Sequence, residues 1–266
     1  MSLEISDETI FYLVVPANTH TGGPKDLHQL GFELKNLGKK VFMYYFPDDI
    51  ENPIHPNYKI YEIPYSNHII DDKKNVLIIG ETSSNIEISK KYKKIQKVVW
   101  WLSLDYFFLS NFNFIFPKIL RSIIKLPFNL INLFNRFSNF YFGNLVISKY
   151  LRFIYLKFPF INIFKIKNIN LNLSQSFYQK NVLKKKKIDS HLLCDFISNE
   201  FFEASKKISI KDKKDIICYN PVKSSIFMDR IIKMNSNIEF IPLRGYSTNE
   251  LIKILSRSKI YMDFGF

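Results

Sequence analysis

His20, Thr21, Gly22, Gly23 and Lys25 lie in one short stretch, Ala17-Asn-Thr-His-Thr-Gly-Gly-Pro-Lys25, whose residue types suit a negatively charged ligand. Glycine lets the chain turn with no Cβ in the way, and Pro24 suits the first turn of a helix. Backbone N–H groups and the dipole at a helix start attract an anion. Lys25 adds charge at the same mouth, and His20 adds a titratable ring. A phosphorylated ligand or an acceptor hydroxyl is the chemistry expected here. A helix cap with no ligand is the plainer alternative, as is a solvated lysine for Lys25.

The flanking residues supply the elements that hold this stretch. Phe11 to Val15 is an apolar strand before it. Leu27, Leu30, Leu34 and Leu37 recur at helical spacing behind it, and Gly38 stands where a helix stops. Val41 to Phe46 is the next apolar strand. The βαβ start differs from the dinucleotide fingerprint, because the glycines are adjacent, the third is missing, and Pro47 separates the second strand from Asp48 and Asp49. A nicotinamide cofactor is not expected.

Strands and helices go on alternating, which argues for a parallel sheet covered on both faces. Strands are expected at Ile10–Val15, Lys40–Phe46, Val76–Ile79, Lys97–Leu102, Ile169–Leu173 and Ser190–Leu193, with helices at Phe177–Lys187 and Ser198–Lys207. A charged link, Lys211-Asp-Lys-Lys-Asp215, precedes a second run: strand Ile216–Tyr219, helix Ser225–Met234, strand Glu239–Pro242, helix Asn249–Ser256 and strand Lys259–Phe264. Ser247 and Glu250 have the spacing of a capping box. The fold class is therefore α/β: a Rossmann-like parallel sheet with helices on both faces over 1–207, and a partial second one over 208–266.

Ligands in open parallel sheets bind at the carboxyl ends of strands, so the loops there hold the other candidates. Glu81 follows the Val76 strand through Gly80, and is either a site carboxylate or a cap for the next helix. Ser174, Gln175 and Ser176 follow the Ile169 strand, and either touch substrate or start a helix. Asn220 and Lys223 end the first strand of the second domain, and Arg244 and Gly245 occupy its next crossover. The carboxylates have no paired spacing suggesting a hydrolase. Neither a nucleophile elbow nor a metal-binding motif is present, so no metal is expected.

The formal charge of +14 is unevenly placed. Between Asp105 and Asp189 there is no acidic residue but 14 basic ones, and the remaining 24 basic residues balance the 24 acidic ones. The same stretch is crowded with phenylalanine, yet its longest uncharged runs are 12 residues, too short for a span of about 20. Basic residues mixed with Phe and Leu fit an anionic membrane interface; a plain core with solvated lysines is the alternative. No aromatic RNA-binding signature accompanies the charge, so nucleic acid is not an expected partner. Cys194 and Cys218 match no metal spacing and fit a reduced cytoplasm. The acidic start Glu4-Ile-Ser-Asp-Glu8 lacks the pattern of a signal peptide.

Four stretches, in order, resemble bacterial glycosyltransferases of the GT-B fold, which have two Rossmann-like domains. They are the glycine turn and its Leu-patterned helix ending Leu37-Gly-Lys-Lys-Val41; Lys97-Val-Val-Trp-Trp-Leu-Ser-Leu-Asp-Tyr106; Leu173-Ser-Gln-Ser-Phe-Tyr-Gln-Lys-Asn-Val-Leu183; and Tyr219-Asn-Pro-Val-Lys223 through Ile260-Tyr-Met-Asp-Phe-Gly-Phe266. The resemblance implies transfer of a sugar from a nucleotide-sugar donor, bound as substrate with no cofactor, to a glycan or lipid-linked acceptor in surface polysaccharide synthesis. It makes His20 and Asp105 the catalytic candidates, Asp105 as a general base in an inverting reaction. Thr21, Gly22, Gly23, Lys25, Glu81, Ser174, Gln175 and Ser176 fall on the acceptor side, and Asn220, Lys223, Arg244 and Gly245 on the donor side. A basic aromatic insertion spans about 106–167. The family's donor-sugar and diphosphate residues normally lie beyond Asp263-Phe-Gly265, so the expectation is an enzyme shortened within its donor domain and impaired. The expected location is cytoplasmic, with the inner membrane face as a peripheral site. The alternative is a non-catalytic, membrane-peripheral scaffold or acceptor-binding remnant of such an enzyme.

Overall fold

The structure, a computed structural model, describes residues 2–115, 168–197, 199–221 and 225–263. Lys223 and most of the basic aromatic stretch (116–167) lie outside the described residues. Those described fall into two compact units that divide at 196/197, where the sequence reading placed the boundary at 207/208.

In the first unit, strands β1 (Ile10–Pro16), β2 (Lys40–Phe46), β3 (Val76–Gly80), β4 (Gln96–Trp101), β5 (Leu171–Ser174) and β6 (His191–Leu192) form one sheet in the order β2-β1-β3-β4-β5-β6. All of its pairs are parallel. Helices α1 (Gly22–Asn36), α2 (Ser83–Lys90), α3 (Leu104–Ile115) and α4 (Phe177–Lys185) connect these strands. The strand alternation decides the layers, because successive side chains point to opposite faces. Phe11, Leu13 and Val15 pack with Met43, Ile78 and Val98 under Leu27 of α1. Tyr12 and Val14 pack with Leu77, Val99 and Trp101 under Ile86 of α2, Phe107 and Phe108 of α3, and Leu183 of α4. Helices therefore cover both faces, as expected from the pattern.

The Trp100-Trp101 pair shows the same rule in two residues. One indole goes to each face, and each N–H finds an acceptor: Trp100 the carbonyl of Leu193 at 3.1 Å, Trp101 the Asn172 Oδ1 at 3.1 Å. Buried indoles require such partners. Helix α1 comes close to the sheet at Gly31, where a Cβ would lie 3.1 Å from Ile63 Cδ1 and 3.4 Å from Met43 Sδ. Gly38, at φ +73°, ends α1 with its N–H on the Lys35 carbonyl, while Lys39 N–H reaches Leu34.

The second unit has strands β7 (Lys214–Tyr219), β8 (Glu239–Pro242) and β9 (Ser258–Met262) in the parallel order β8-β7-β9, with α5 (Asn199–Lys206), α6 (Ser225–Met234) and α7 (Thr248–Arg257). Its core gathers Ile216, Cys218 and Ile254. Ser247 and Glu250 form the capping box that the sequence anticipated. Among the described residues no helix is long and apolar enough to cross a membrane.

Candidate functional site

The crossover from β1 goes to β2 on one side, and the chain then returns to β3 on the other. The carboxyl ends of β1 and β3 thus flank the topological switch point of the sheet, where open α/β folds hold their ligands. The start of α1, Glu81 and the loops after β4 and β5 surround it.

The loop after β1 folds differently from the glycine turn read in the sequence. The left-handed residue is Asn18, at φ +51°, with its N–H on the Pro53 carbonyl. Gly22 and Gly23 are the first two residues of α1, and neither has a positive φ. A Cβ at Gly22 would meet nothing within 4 Å, and one at Gly23 only Leu102 Cδ1 at 3.4 Å. Their role is thus not a sharp turn; their missing side chains leave the helix start open. Thr21 is the N-cap residue in extended backbone, with no side-chain cap bond. Its carbonyl accepts from Lys25 N–H (3.1 Å) and from Tyr58 Oη (3.3 Å). The Gly22 and Gly23 N–H groups have no acceptor among the described residues, as the first turn of a helix requires unless a ligand or water supplies one.

A side-chain network across the strand ends was not foreseen. Gln175 Nε2 donates to Asp26 Oδ2 at 3.3 Å and to Asp195 Oδ1. Asp26 is half-buried on the second turn of α1. Burial raises its carboxyl to about 7, the charge of Asp195 adds to this, and Lys25 opposes it. Glu81 is buried, and its two oxygens accept the N–H groups of Leu102 (2.9 Å) and Ser103 (3.0 Å). Burial likewise raises it to about 7; those N–H bonds lower it, and the charge of Asp26 raises it further. Gln179 closes the chain of contacts. Its Nε2 donates to the Leu102 carbonyl at 2.9 Å, and its Oε1 accepts from the N–H groups of Gln175 (2.8 Å) and Ser176 (3.1 Å). The backbone of Gln175 is thereby tied to the loop that Glu81 holds.

The other predicted residues take different places. His20 is exposed, stacks on His55 with centroids 4.9 Å apart, and has Nε2 3.1 Å from Asn57 Nδ2. Asp105 lies in the first turn of α3, and among the described residues no hydrogen bond joins it to the Asp26 network. Ser174, the last residue of β5, is fully buried, its Oγ donating to the His191 carbonyl at 3.3 Å. Ser176 is the N-cap of α4, in a capping box with Gln179. Glu81, buried under two backbone donors, positions a loop and does not reach solvent.

His28, unmarked by the sequence reading, is buried beside this helix start. Its Nδ1–H donates to the Pro24 carbonyl at 2.6 Å, and Tyr45 Oη donates to its Nε2 at 2.9 Å. Burial lowers its pKa to about 4, so the ring is neutral. Tyr58 stacks on it with centroids 4.0 Å apart, which fixes the wall next to His20.

In the second unit, Asn220 follows β7. Its N–H donates to the Met262 carbonyl (3.1 Å) and its Nδ2 to Asp263 Oδ2 (3.3 Å), which also accepts from Tyr261 Oη at 3.0 Å. These groups lie between the ends of β7 and β9, the corresponding switch point of that sheet. Arg244 and Gly245 are exposed after β8, with Gly245 at φ +78° in the left-handed turn that favours glycine.

A half-buried carboxylate with a pKa near 7 is suited to taking a proton from a hydroxyl at neutral pH. Asp26 has that property, is oriented by an amide, and adjoins an open helix start. No protein-family model matches this chain, and no curated protein matches it.

Proposed function

We propose that the chain is a nucleotide-sugar-dependent glycosyltransferase of GT-B type that transfers a sugar to a glycan or lipid-linked acceptor, as its sequence resemblance implies. The observation that carries this reading is the Asp26–Gln175–Asp195 cluster at the switch point of the first sheet. The two parallel α/β units agree with it. In this scheme the acceptor hydroxyl gives its proton to the Asp26 carboxylate while its oxygen attacks the anomeric carbon. The bond from that carbon to the diphosphate breaks, and the electron pair leaves on the nucleoside diphosphate. A single displacement inverts the anomeric centre. Asp26 thus replaces Asp105 as the base, because Asp26 has both the shifted pKa and the orienting amide.

The Gly22 and Gly23 N–H groups, with Lys25, favour negative charge at the same mouth. Asn220 and Arg244 belong to the donor side of the second unit. Calorimetric titration with a panel of nucleoside-diphosphate sugars tests the assignment. Weak but saturable binding of at least one donor is expected, as for an enzyme impaired on its donor side, and Asn220→Ala should weaken it further. Absence of binding across the panel would overturn the reading in favour of a non-catalytic acceptor-binding protein.

A further inference from the structure

Helix α4 has two contrasting faces. Its inward face buries Gln179, Val182 and Leu183. At 100° per residue the opposite face aligns Phe177 with Lys184, seven positions on, and Tyr178 with Lys185, while Lys180 flanks them. Phe177 is 69% exposed and Tyr178 50% exposed, at the end of the helix nearest the candidate site. Lys184, Lys185 and Lys187 are exposed at the other end of α4, and like Lys180 they meet no carboxylate among the described residues.

We propose that this face of α4 docks the protein on an anionic lipid bilayer. Charge complementarity selects the partner's sign, and no acidic residue lies on the helix. The aromatics select its class. Exposed large rings gathered at one end of a convex helix suit insertion among headgroups, with lysine ammonium groups spread over the phosphates. Single-stranded nucleic acid instead favours a groove in which aromatic platforms alternate with cations. Docking in this way would set the strand ends that hold Asp26 and Gln175 close to the membrane surface, within reach of a lipid-linked acceptor. The surface itself does not depend on glycosyl transfer, and its test is separate.

The test is co-sedimentation of the whole chain with vesicles of phosphatidylcholine alone, or of phosphatidylcholine with phosphatidylglycerol. Binding is expected only to the anionic vesicles and should weaken with salt. A Lys contributes about fivefold in partitioning near such a surface, so Lys184→Gln, Lys185→Gln and Lys187→Gln together should lower it by about a hundredfold. Phe177→Ser should lower it several-fold, and the matched set Lys59→Gln, Lys73→Gln and Lys91→Gln should change it far less. Circular dichroism confirms that each variant is folded. Equal loss from both lysine sets, binding to neutral vesicles, no effect of the α4 variants, or displacement by a single-stranded oligonucleotide at lower concentration than by anionic vesicles would each overturn the proposal.

Discussion

Replacing Glu81 by Gln separates two opposing consequences of burying a carboxyl under two backbone donors. Both oxygens accept, from Leu102 and Ser103. An amide offers only one oxygen, so the variant turns an NH2 group towards a backbone N–H and leaves that donor unsatisfied, at a cost of about 1–3 kcal/mol. The wild-type carboxyl has its own cost. Its pKa rises from 4.5 unfolded to about 7 folded, so between these values the folded state binds more protons. Stability attached to this group is then complete at low pH and is lost as pH rises to about 7, by about 3 kcal/mol in all. Gln carries no such loss. Glu81→Gln should therefore be destabilising at pH 5, and close to neutral or stabilising at pH 8. Contributions from His28 cancel in the difference between variant and wild type. Urea unfolding at the two pH values, read as midpoint at constant m, measures it. The same difference at both pH values would mean that Glu81 is ionised throughout, and would refute the account of desolvation in this network.

Three further outcomes follow from the same contacts. His28 has a folded pKa near 4, below its ordinary 6.5, so its contribution to stability is present above pH 6.5 and falls as pH drops towards 4, by about 3 kcal/mol; His28→Phe should flatten that part of the profile in pH-dependent thermal melts. Phe107, fully buried and edge-on to Trp101 with centroids 5.0 Å apart, should cost about 3–5 kcal/mol on change to Ala, read by denaturant unfolding; a loss under 1 kcal/mol would place it outside the core. Gln179→Ala takes the partner from the Leu102 carbonyl and from the Ser176 N–H, while the Gln175 N–H keeps the Trp101 carbonyl at 3.2 Å, and should cost about 2–4 kcal/mol while Gln179→Glu, which restores only the acceptor, recovers part of it.

The elements were legible because the strands are short unbroken apolar runs, as a parallel sheet buried on both faces requires, and the helices carry apolar residues at every third or fourth position. Val41 to Phe46, Ser225 to Met234 and Glu239 to Pro242 could be read directly. The site was less legible, for reasons of geometry. Asp26 looks like an ordinary helix carboxylate, and its amide partner is 149 residues away; only the crossover order of the sheet brings them together. Glu81 was noticed for its place after β3, but its burial depends on a loop 21 residues further on. The burial of Ser174 was not legible either, because it depends on the pairing of β5 with β6, whose His191 carbonyl accepts from its hydroxyl. The glycines were noticed correctly, but the conformation attributed to them belongs to Asn18, a residue type that tolerates left-handed backbone. Helix α3 was hidden inside a basic aromatic stretch whose composition suggested a surface, although Phe107 and Phe108 are core residues.

Release of nucleoside diphosphate from a bound nucleotide sugar, in the presence of an acceptor, reads the role of Asp26 as base. Asp26→Asn keeps the shape and the contact with Gln175 but removes the proton acceptor. Turnover should fall by about 10²–10⁴-fold with donor binding unchanged, and the wild-type rate should rise with pH through about 7. Turnover by Asp26→Asn at the wild-type rate, with the same pH profile, would contradict that role.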